Sequence, residues 1–158
     1  MIKVLFVCLG NICRSPTAQG VFTNKVAEAG LAGQVSVDSA GTSGWHMGNC
    51  PDQRSAQVAG KRGYDLSSIR SRKVVEKDFV EQDLILAMDQ QNLEALGQMC
   101  PLDYQHKLRL FLDFAEDIET REVPDPYYGG DEGFNRVVSL IEHGSQALLQ
   151  HIRNHYIQ

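Results

Sequence analysis

The chain has 158 residues, of which 42% are hydrophobic, and its 15 basic and 20 acidic residues give a formal net charge of −5. This length and composition predict one globular domain over residues 1–158, and the acidic balance argues against nucleic-acid binding, which depends on clustered Lys and Arg. No stretch reaches the ~20 apolar residues of a membrane span, and the N-terminal apolar run is too short for a secretory signal. We therefore expect a cytoplasmic protein whose four cysteines are reduced.

The first predicted strand and the first predicted helix lie close together. Residues 2–8 form an almost continuous apolar run, rich in β-branched side chains, which is typical of a buried parallel strand. Ser15 and Pro16 then indicate a helix start, with Ser at the N-cap and Pro at the first helical position. Apolar residues at helical spacing continue this helix towards Gly30, which can end it.

The rest of the chain repeats this alternation. Strands are predicted at residues 35–37, 83–88 and 108–111, helices at residues 52–62, 90–99 and 133–154, and long loops at residues 41–52 and 113–132. Such alternation predicts a three-layer α/β domain with a mainly parallel sheet. Ligands of these sheets bind beyond the carboxyl ends of the strands, and the first strand ends at Cys8.

Residues 8–15, between the first strand and the first helix, have the pattern Cys-x5-Arg-Ser. Amide groups at a helix N-terminus attract anions, and a five-residue loop can point several of them at one tetrahedral oxyanion. Gly10 is expected to permit a backbone shape that other residues resist, and Asn11 to adopt a left-handed conformation and tie the loop to itself. The pattern therefore predicts a phosphate-binding loop.

Three side chains of this loop carry chemistry in that interpretation. Arg14 offers a planar fork to two phosphate oxygens. Cys8 would lie at the base of a positively charged cup and attack phosphorus as a thiolate. Ser15 can donate its hydroxyl proton to that thiolate.

Other interpretations of the same segment are a buried strand cysteine followed by an ordinary turn, a metal site and a nucleotide site. Four residues separate Cys8 from Cys13, and no Cys or His pair with zinc-ligand spacing follows. The Gly-Lys-Ser/Thr of a Walker loop is absent. We therefore expect no metal and no cofactor.

A second signal surrounds Asp125, which stands between Pro124 and Pro126. The two prolines restrict the backbone on both sides, and a rigid loop with a single carboxyl group suits proton delivery to a leaving oxygen. Tyr127 and Tyr128 could form walls against an aromatic ring. Taken alone, the segment is also compatible with a surface turn capped by Asp.

These motifs resemble a known family. Residues 7–16, Val-Cys-Leu-Gly-Asn-Ile-Cys-Arg-Ser-Pro, closely resemble the phosphate loop of the low-molecular-weight protein tyrosine phosphatases, and residues 38–42, 87–89 and 125–129 resemble further segments of that family in the same order. The resemblance covers nearly the whole chain. It implies a four-stranded parallel sheet flanked by helices.

The resemblance also implies roles for individual residues. Cys8 would be the nucleophile, Arg14 the phosphate clamp and Asp125 the general acid and then base. Asn11, Ser15 and Ser39 would support them. The expected phosphate- and substrate-binding residues are Leu9, Gly10, Asn11, Ile12, Cys13, Ser15, Trp45, Tyr127 and Tyr128.

Three positions in this comparison stay open. Trp45 stands where the family has an aromatic wall of the substrate cleft, although a single Trp is equally compatible with core packing. Cys50 replaces a proline that is frequent in the family, which puts the stiffness of its loop in doubt. Ile69 replaces a frequent histidine and removes one support for Asn11.

The expected activity is hydrolysis of phosphotyrosine and aryl phosphate monoesters through a phosphocysteine intermediate, and the expected partner is a phosphotyrosine-containing protein. The alternatives are arsenate reduction, which needs further cysteines to relay a disulfide, and a phosphotyrosine-binding module without catalysis, which would lack the nucleophile or the acid. The oligomeric state and the physiological substrate are not predicted.

Cys13, five residues after Cys8, is the expected redox partner of the nucleophile. A reactive thiolate is oxidised first to sulfenic acid, and a nearby thiol can trap that acid as a disulfide. The family resemblance and the spacing within a curled loop favour a reversible Cys8–Cys13 disulfide. The alternative is that Cys13 only packs beneath the loop.

Overall fold

The computed structural model describes residues 1–126 and 130–157. The strands are β1 (Ile2–Cys8), β2 (Val35–Gly41), β3 (Leu84–Ala87) and β4 (Leu108–Leu110), and the α-helices are α1 (Arg14–Glu28), α2 (Gln53–Lys61), α3 (Glu76–Glu81), α4 (Gln90–Met99) and α5 (Gly130–His155). Two 3-10 helices, Leu102–Lys107 and Phe111–Phe114, flank β4. Within the described ranges, no helix is both long and apolar enough to cross a membrane.

The four strands form one sheet in the order β2-β1-β3-β4, and every neighbouring pair is parallel. The carboxyl ends of the three longest strands therefore lie at the same edge of the sheet, with Cys8 paired to Gly41 and Val7 paired to Ala87. The predicted three-layer α/β fold with a four-stranded parallel sheet is confirmed.

Helices cover both faces of the sheet, which explains why the sequence of β1 is an almost continuous apolar run. Alternate side chains of β1 enter two separate cores. Phe6 belongs to the core shared with α1 and α5, where its ring meets Phe22 and Phe111 edge-on at centroid distances of 5.7 and 5.1 Å. Leu5 belongs to the core beneath α3 and α4.

The structure differs from the sequence-based elements at several places. β2 continues to Gly41 because Ser39 pairs with Phe6 in the ladder and is buried. Helix α3 was not predicted. It has only six residues, and its start is fixed by Asp78, whose carboxylate accepts a hydrogen bond from the Val75 amide at 2.9 Å. A helix that depends on such a cap cannot be recognised from the spacing of apolar residues.

Candidate active site

The loop after β1, residues 9–13, lies at the carboxyl edge of the sheet and leads directly into α1. It packs tightly against the end of β2, because a Cβ atom on Gly41 would lie 2.8 Å from the Leu9 carbonyl oxygen and 3.2 Å from the Asn11 amide. The Thr42 and Ser43 amides donate to the carbonyls of Cys8 and Leu9, each at 2.9 Å. Neighbouring backbone therefore holds the outer side of the loop.

Asn11 holds the loop from within. It has a φ of 55°, in the left-handed region that Asn tolerates better than most residues, and its side chain is buried. The Asn11 amide group donates to the hydroxyls of Ser15 at 2.7 Å and Ser39 at 3.0 Å, and its oxygen accepts from the Arg72 amide at 3.0 Å. The Arg72 backbone thus supports Asn11 in this chain, in which Ile69 stands at the frequent histidine position.

Gly10 has a different role from the one expected. Its φ is not in the left-handed region, so the conformational explanation was wrong, and Asn11 makes the sharp turn instead. The bare Cα of Gly10 makes room for the ring of His46, since a Cβ atom there would lie 2.9 Å from His46 Cδ2. The Gly10 carbonyl accepts from the Ser71 hydroxyl at 3.0 Å. From the sequence, His46 is expected near the cleft but has no predicted role, and Ser71 was not identified.

Ser15 does not cap α1. The helix begins at Arg14 with Cys13 at the N-cap position and no side-chain capping bond, so the predicted cap was wrong. The Ser15 hydroxyl instead lies 3.0 Å from the sulfur of Cys8, which is buried. Because Ser15 Oγ already accepts from Asn11, its own proton is available to that sulfur or to the Ala40 carbonyl, 3.4 Å away. In the first turn of α1, Pro16 has no N–H and the Thr17 amide donates to the Cys13 carbonyl at 3.3 Å, so an anion can be bound by the Arg14 and Ser15 amides.

Arg14 is buried at the base of the site. Its Nη1 donates to Asp89 Oδ2 at 2.6 Å and to the Val123 carbonyl at 3.0 Å, and its Nη2 lies 3.9 Å from Asp125 Oδ2. Burial by itself lowers the pKa of Arg14, but the negative charges of Cys8 and Asp89 and the bond to Asp89 raise it overall. The guanidinium therefore stays charged.

Asp89 was part of a motif that pointed to the family but had no predicted role of its own. It lies at the N-cap of α4, where Oδ1 accepts from the Asn92 amide at 2.8 Å while Oδ2 accepts from Arg14. Because the Asn92 amide holds one oxygen of the Asp89 carboxylate in place, the other oxygen fixes the rotamer of Arg14. No local sequence signal could reveal this role, since Asp89 and Arg14 are 75 residues apart.

These side chains surround an open cavity of about 350 Å³, lined by Cys8, Leu9, Gly10, Ile12, Cys13, Arg14, Trp45, His46 and Asp125. Trp45 is 80% exposed, so it does not fill the core. The side chain of Asp125 is half-exposed. Asn11, Ser15 and Ser39 lie behind the cavity wall, and the predicted walls Tyr127 and Tyr128 fall outside the described residues.

The remaining cysteines differ from Cys8 in their surroundings. Burial raises the pKa of Cys13 to about 12, although a hydrogen bond with Ser55 opposes the shift. Cys50 is exposed, and Cys100 is buried in the core beneath α3 and α4. Across residues 1–126 and 130–157, no group of three or more His, Cys, Asp or Glu side chains could hold a metal ion.

Comparison with known proteins identifies the family. Residues 3–157 match the model of the family described as low molecular weight phosphotyrosine protein phosphatase. The low molecular weight protein-tyrosine-phosphatase YfkJ of Bacillus subtilis is 41% identical over 153 residues, 97% of each chain, and the human low molecular weight phosphotyrosine protein phosphatase is 37% identical over 149 residues, 94% of each chain. A crystal structure of a protein tyrosine phosphatase from Entamoeba histolytica superposes with a TM-score of 0.94 at 43% identity and covers 98% of both chains. The chain therefore belongs to the low molecular weight protein-tyrosine-phosphatases, a family of hydrolases, and Cys8 and Arg14 stand at the phosphate-loop positions of that family.

Proposed function

We propose that this protein hydrolyses phosphotyrosine and aryl phosphate monoesters through a phosphocysteine intermediate on Cys8. The observation that carries the proposal is that Cys8, Arg14 and Asp125 line one cavity at the start of α1. A nucleophile, an anion clamp and a proton donor are the three groups that phosphoryl transfer to a protein side chain needs.

In the first step the Cys8 thiolate attacks phosphorus and the bond from phosphorus to the phenolic oxygen breaks. The Ser15 hydroxyl, 3.0 Å from the sulfur, stabilises the thiolate before attack. The loop amides and Arg14 bind the phosphate oxygens. Because Nη1 of Arg14 is committed to Asp89 and Val123, the Nε and Nη2 edge of the guanidinium is the part that can take two of these oxygens.

Asp125 handles the protons of both steps. In its carboxylic acid form it protonates the leaving phenolate, which lowers the barrier most for a basic leaving group. The resulting carboxylate then accepts a proton from the water that attacks the phosphocysteine, and this step releases inorganic phosphate and restores the thiolate. The half-exposed position of Asp125 at the cavity gives it access to substrate and water.

The apolar mouth of the cavity supports an aromatic substrate. Leu9, Ile12 and the exposed ring of Trp45 line it, and Cys8 lies at its base, which suits the long side chain of phosphotyrosine better than that of phosphoserine. The proposed partner is a phosphotyrosine-containing protein. We also propose a cytoplasmic location, because the mechanism needs Cys8 reduced.

Arsenate reduction is less well supported. A disulfide relay needs thiols that can reach the nucleophile in turn, but Cys100 is enclosed in the core on the opposite face of the sheet from Cys8. The presence of both a nucleophile and an acid in one cavity also disfavours a module that only binds phosphotyrosine.

We further propose that oxidation of Cys8 is reversible through Cys13. Peroxide would oxidise the Cys8 thiolate to a sulfenic acid with release of water, and the Cys13 thiol would displace a second water to form the disulfide. Burial raises the pKa of Cys13 to about 12, which disfavours the thiolate form that reacts fastest in the second step. Peptide mapping after peroxide should find the linked peptide in wild type, and Cys13→Ser should lose the thiol-rescued activity.

The experiment that tests the proposed function is turnover of an aryl phosphate and of a phosphotyrosyl peptide, with a phosphoseryl peptide as the contrast. We expect kcat/KM to be far higher for the first two. Comparable values for the phosphoseryl peptide would contradict the substrate class.

A further inference from the structure

The segment of residues 71–74, between α2 and α3, lies along the end of β2 and contacts the phosphate loop. The Gly41 amide donates to the Arg72 carbonyl at 2.8 Å, and the Val74 amide donates to the Gly41 carbonyl at 2.9 Å, so the segment extends the sheet by one parallel bridge. Between these two bonds, the Arg72 amide donates to Asn11 Oδ1 at 3.0 Å. The proposed chemistry gives the side chain of Arg72 no role.

The Arg72 amide determines which way the Asn11 side chain faces. A backbone N–H can only donate, so the atom of Asn11 that accepts from it has to be the amide oxygen. The two hydrogens of Asn11 Nδ2 then go to the hydroxyls of Ser15 at 2.7 Å and Ser39 at 3.0 Å. Because Ser15 Oγ accepts in that bond, its own proton is available to the Cys8 sulfur, 3.0 Å away. A reversed Asn11 amide would place an oxygen against Ser15 and draw that proton away from Cys8.

The side chain of Arg72 holds its backbone in place. Nη1 and Nη2 donate to the two oxygens of the buried Asp78 at 3.0 and 2.8 Å, and Nη2 also donates to Asp38 Oδ2 at 3.0 Å. Asp78 belongs to α3 and Asp38 to β2. The hydrogen bond with Asp78 and the charges of both carboxylates raise the pKa of Arg72, although burial opposes the shift, so the guanidinium stays charged. A guanidinium paired in this way to two elements restricts the position of its own main chain.

We propose that Arg72 is a positioning residue that acts through Asn11 and Ser15 on the sulfur of Cys8. Its paired side chain fixes the main-chain N–H, the N–H fixes the orientation of the Asn11 amide, and that orientation directs the Ser15 hydroxyl to Cys8. The inference rests on the proposed role of Cys8 as the nucleophile. It adds that the reactivity of this sulfur depends on an ion-pair network outside the cavity.

The test measures the rate constant for alkylation of Cys8 by iodoacetate, taken as the part that inorganic phosphate suppresses. Arg72→Met keeps the main-chain N–H and an unbranched side chain but cannot pair with Asp38 or Asp78. We expect it to slow alkylation by about 3- to 10-fold, as for the loss of one hydrogen bond, and Arg72→Lys to recover part of the rate. In a Ser15→Ala background, Arg72→Met should change the rate by less than about twofold, because the donor that it orients is already absent.

Arg62→Met is the matched control. Arg62, at the end of α2, pairs with Glu142 of α5 at 2.6 Å, and neither residue lines the cavity. This variant should be alkylated at the wild-type rate. Equal slowing by Arg72→Met with and without Ser15, no slowing at all, or equal slowing by Arg62→Met would each overturn the role of Arg72.

A second variant keeps the test decisive if Arg72→Met does not fold. Asp38→Asn retains the Oδ1 that accepts from the Ser39 amide at 2.8 Å but removes the charge that pairs with Arg72. We expect a smaller slowing that also disappears in the Ser15→Ala background, and a slowing that persists there, or none at all, would contradict the inference. Failure of the proposed function is distinguishable, because alkylation of Cys8 requires no turnover of a phosphate ester.

Discussion

The phosphate loop, residues 8–15, and the acid segment, residues 115–126, line the same cavity but are held very differently. Asn11, Arg14 and Ser15 are buried, and side-chain hydrogen bonds hold them in place. Asn11 donates to the hydroxyls of Ser15 and Ser39, and Arg14 donates to the carboxylate of Asp89. The acid segment is exposed over most of its length, and its main buried anchor is Val123, which accepts from Arg14 and donates to the Met88 carbonyl at 2.8 Å.

The proposed mechanism gives a reason for this difference. A nucleophile and a clamp stabilise a transition state only when they are fixed before the substrate arrives. A proton donor must reach the leaving oxygen and then a water molecule, so it benefits from access to solvent. Arg14 joins the two regions, because the same guanidinium contacts Asp89, Val123 and Asp125.

The largest effects are expected in the phosphate loop. Cys8→Ser should reduce turnover to background yet retain vanadate binding, because the loop amides and Arg14 remain. Arg14→Lys should lower kcat by about 10²- to 10³-fold, since a point charge cannot replace a two-pronged donor. Steady-state kinetics measure both, with the exposed Cys50→Ser as the control expected near wild type. Measurable turnover by Cys8→Ser would disprove the mechanism.

The next effect concerns the acid segment. Asp125→Asn should slow aryl phosphates with basic leaving groups by about 10²- to 10⁴-fold and those with acidic leaving groups far less, because a good leaving group needs no proton. Asp117→Asn, on the same segment but paired to His143, is the control. Equal slowing across leaving groups would assign Asp125 a structural role.

The two regions should also differ in how much a single substitution lowers the free energy of unfolding. Asn11→Gly keeps the left-handed backbone accessible but removes three hydrogen bonds, two of them buried, and it should lower the free energy of unfolding by about 3 kcal/mol. Asp117→Asn removes only an exposed ion pair and should stay close to wild type. Urea denaturation measures both. A similar loss for the two variants would contradict the contrast in rigidity.

The smallest expected effect is a pH dependence of stability next to the acid segment. Phe114 packs on His151 of α5 at a centroid distance of 4.8 Å, and burial, then the charges of His155 and Arg109, lower the pKa of His151. Folding therefore favours the neutral ring, so its contribution to stability is complete above the unfolded pKa of about 6.5 and declines as the pH falls below it. His151→Phe should lose less stability than wild type between pH 7 and pH 5. An identical pH profile for the two proteins would exclude this effect.

The two regions also differ in how far the sequence reveals them. The phosphate loop is a local feature, in which strand, loop and helix start are contiguous, so Cys8 and Arg14 could be identified from residues 8–15. Asp125 was predicted as the acid only because its proline-flanked segment was paired with that loop, since alone the segment also fits a surface turn. The partners that fix these groups could not be identified in this way, because Asp89, Arg72 and His46 meet the loop only through tertiary contacts.

Predictions from local sequence patterns gave wrong explanations for two residues whose side chain or space serves the site. Ser-Pro is a good helix start, but the Ser15 hydroxyl is committed to Asn11 and Cys8, so it cannot cap α1. Glycine usually indicates an unusual backbone, but at Gly10 the requirement is space for His46. Fold class was predicted more securely than these details because it depends on many residues at once.

The central claim is that Cys8 forms a covalent bond to phosphorus, and acid-quenched mass spectrometry of Asp125→Ala during turnover of an aryl phosphate tests it most directly. Loss of Asp125 slows hydrolysis of the intermediate as well as its formation, and an aryl phosphate with an acidic leaving group keeps formation fast, so the intermediate should accumulate. We predict one phosphoryl group on the peptide that contains Cys8, absent in Asp125→Ala combined with Cys8→Ser. A phosphoryl group on another residue, or turnover without any adduct in rapidly quenched samples, would contradict the account.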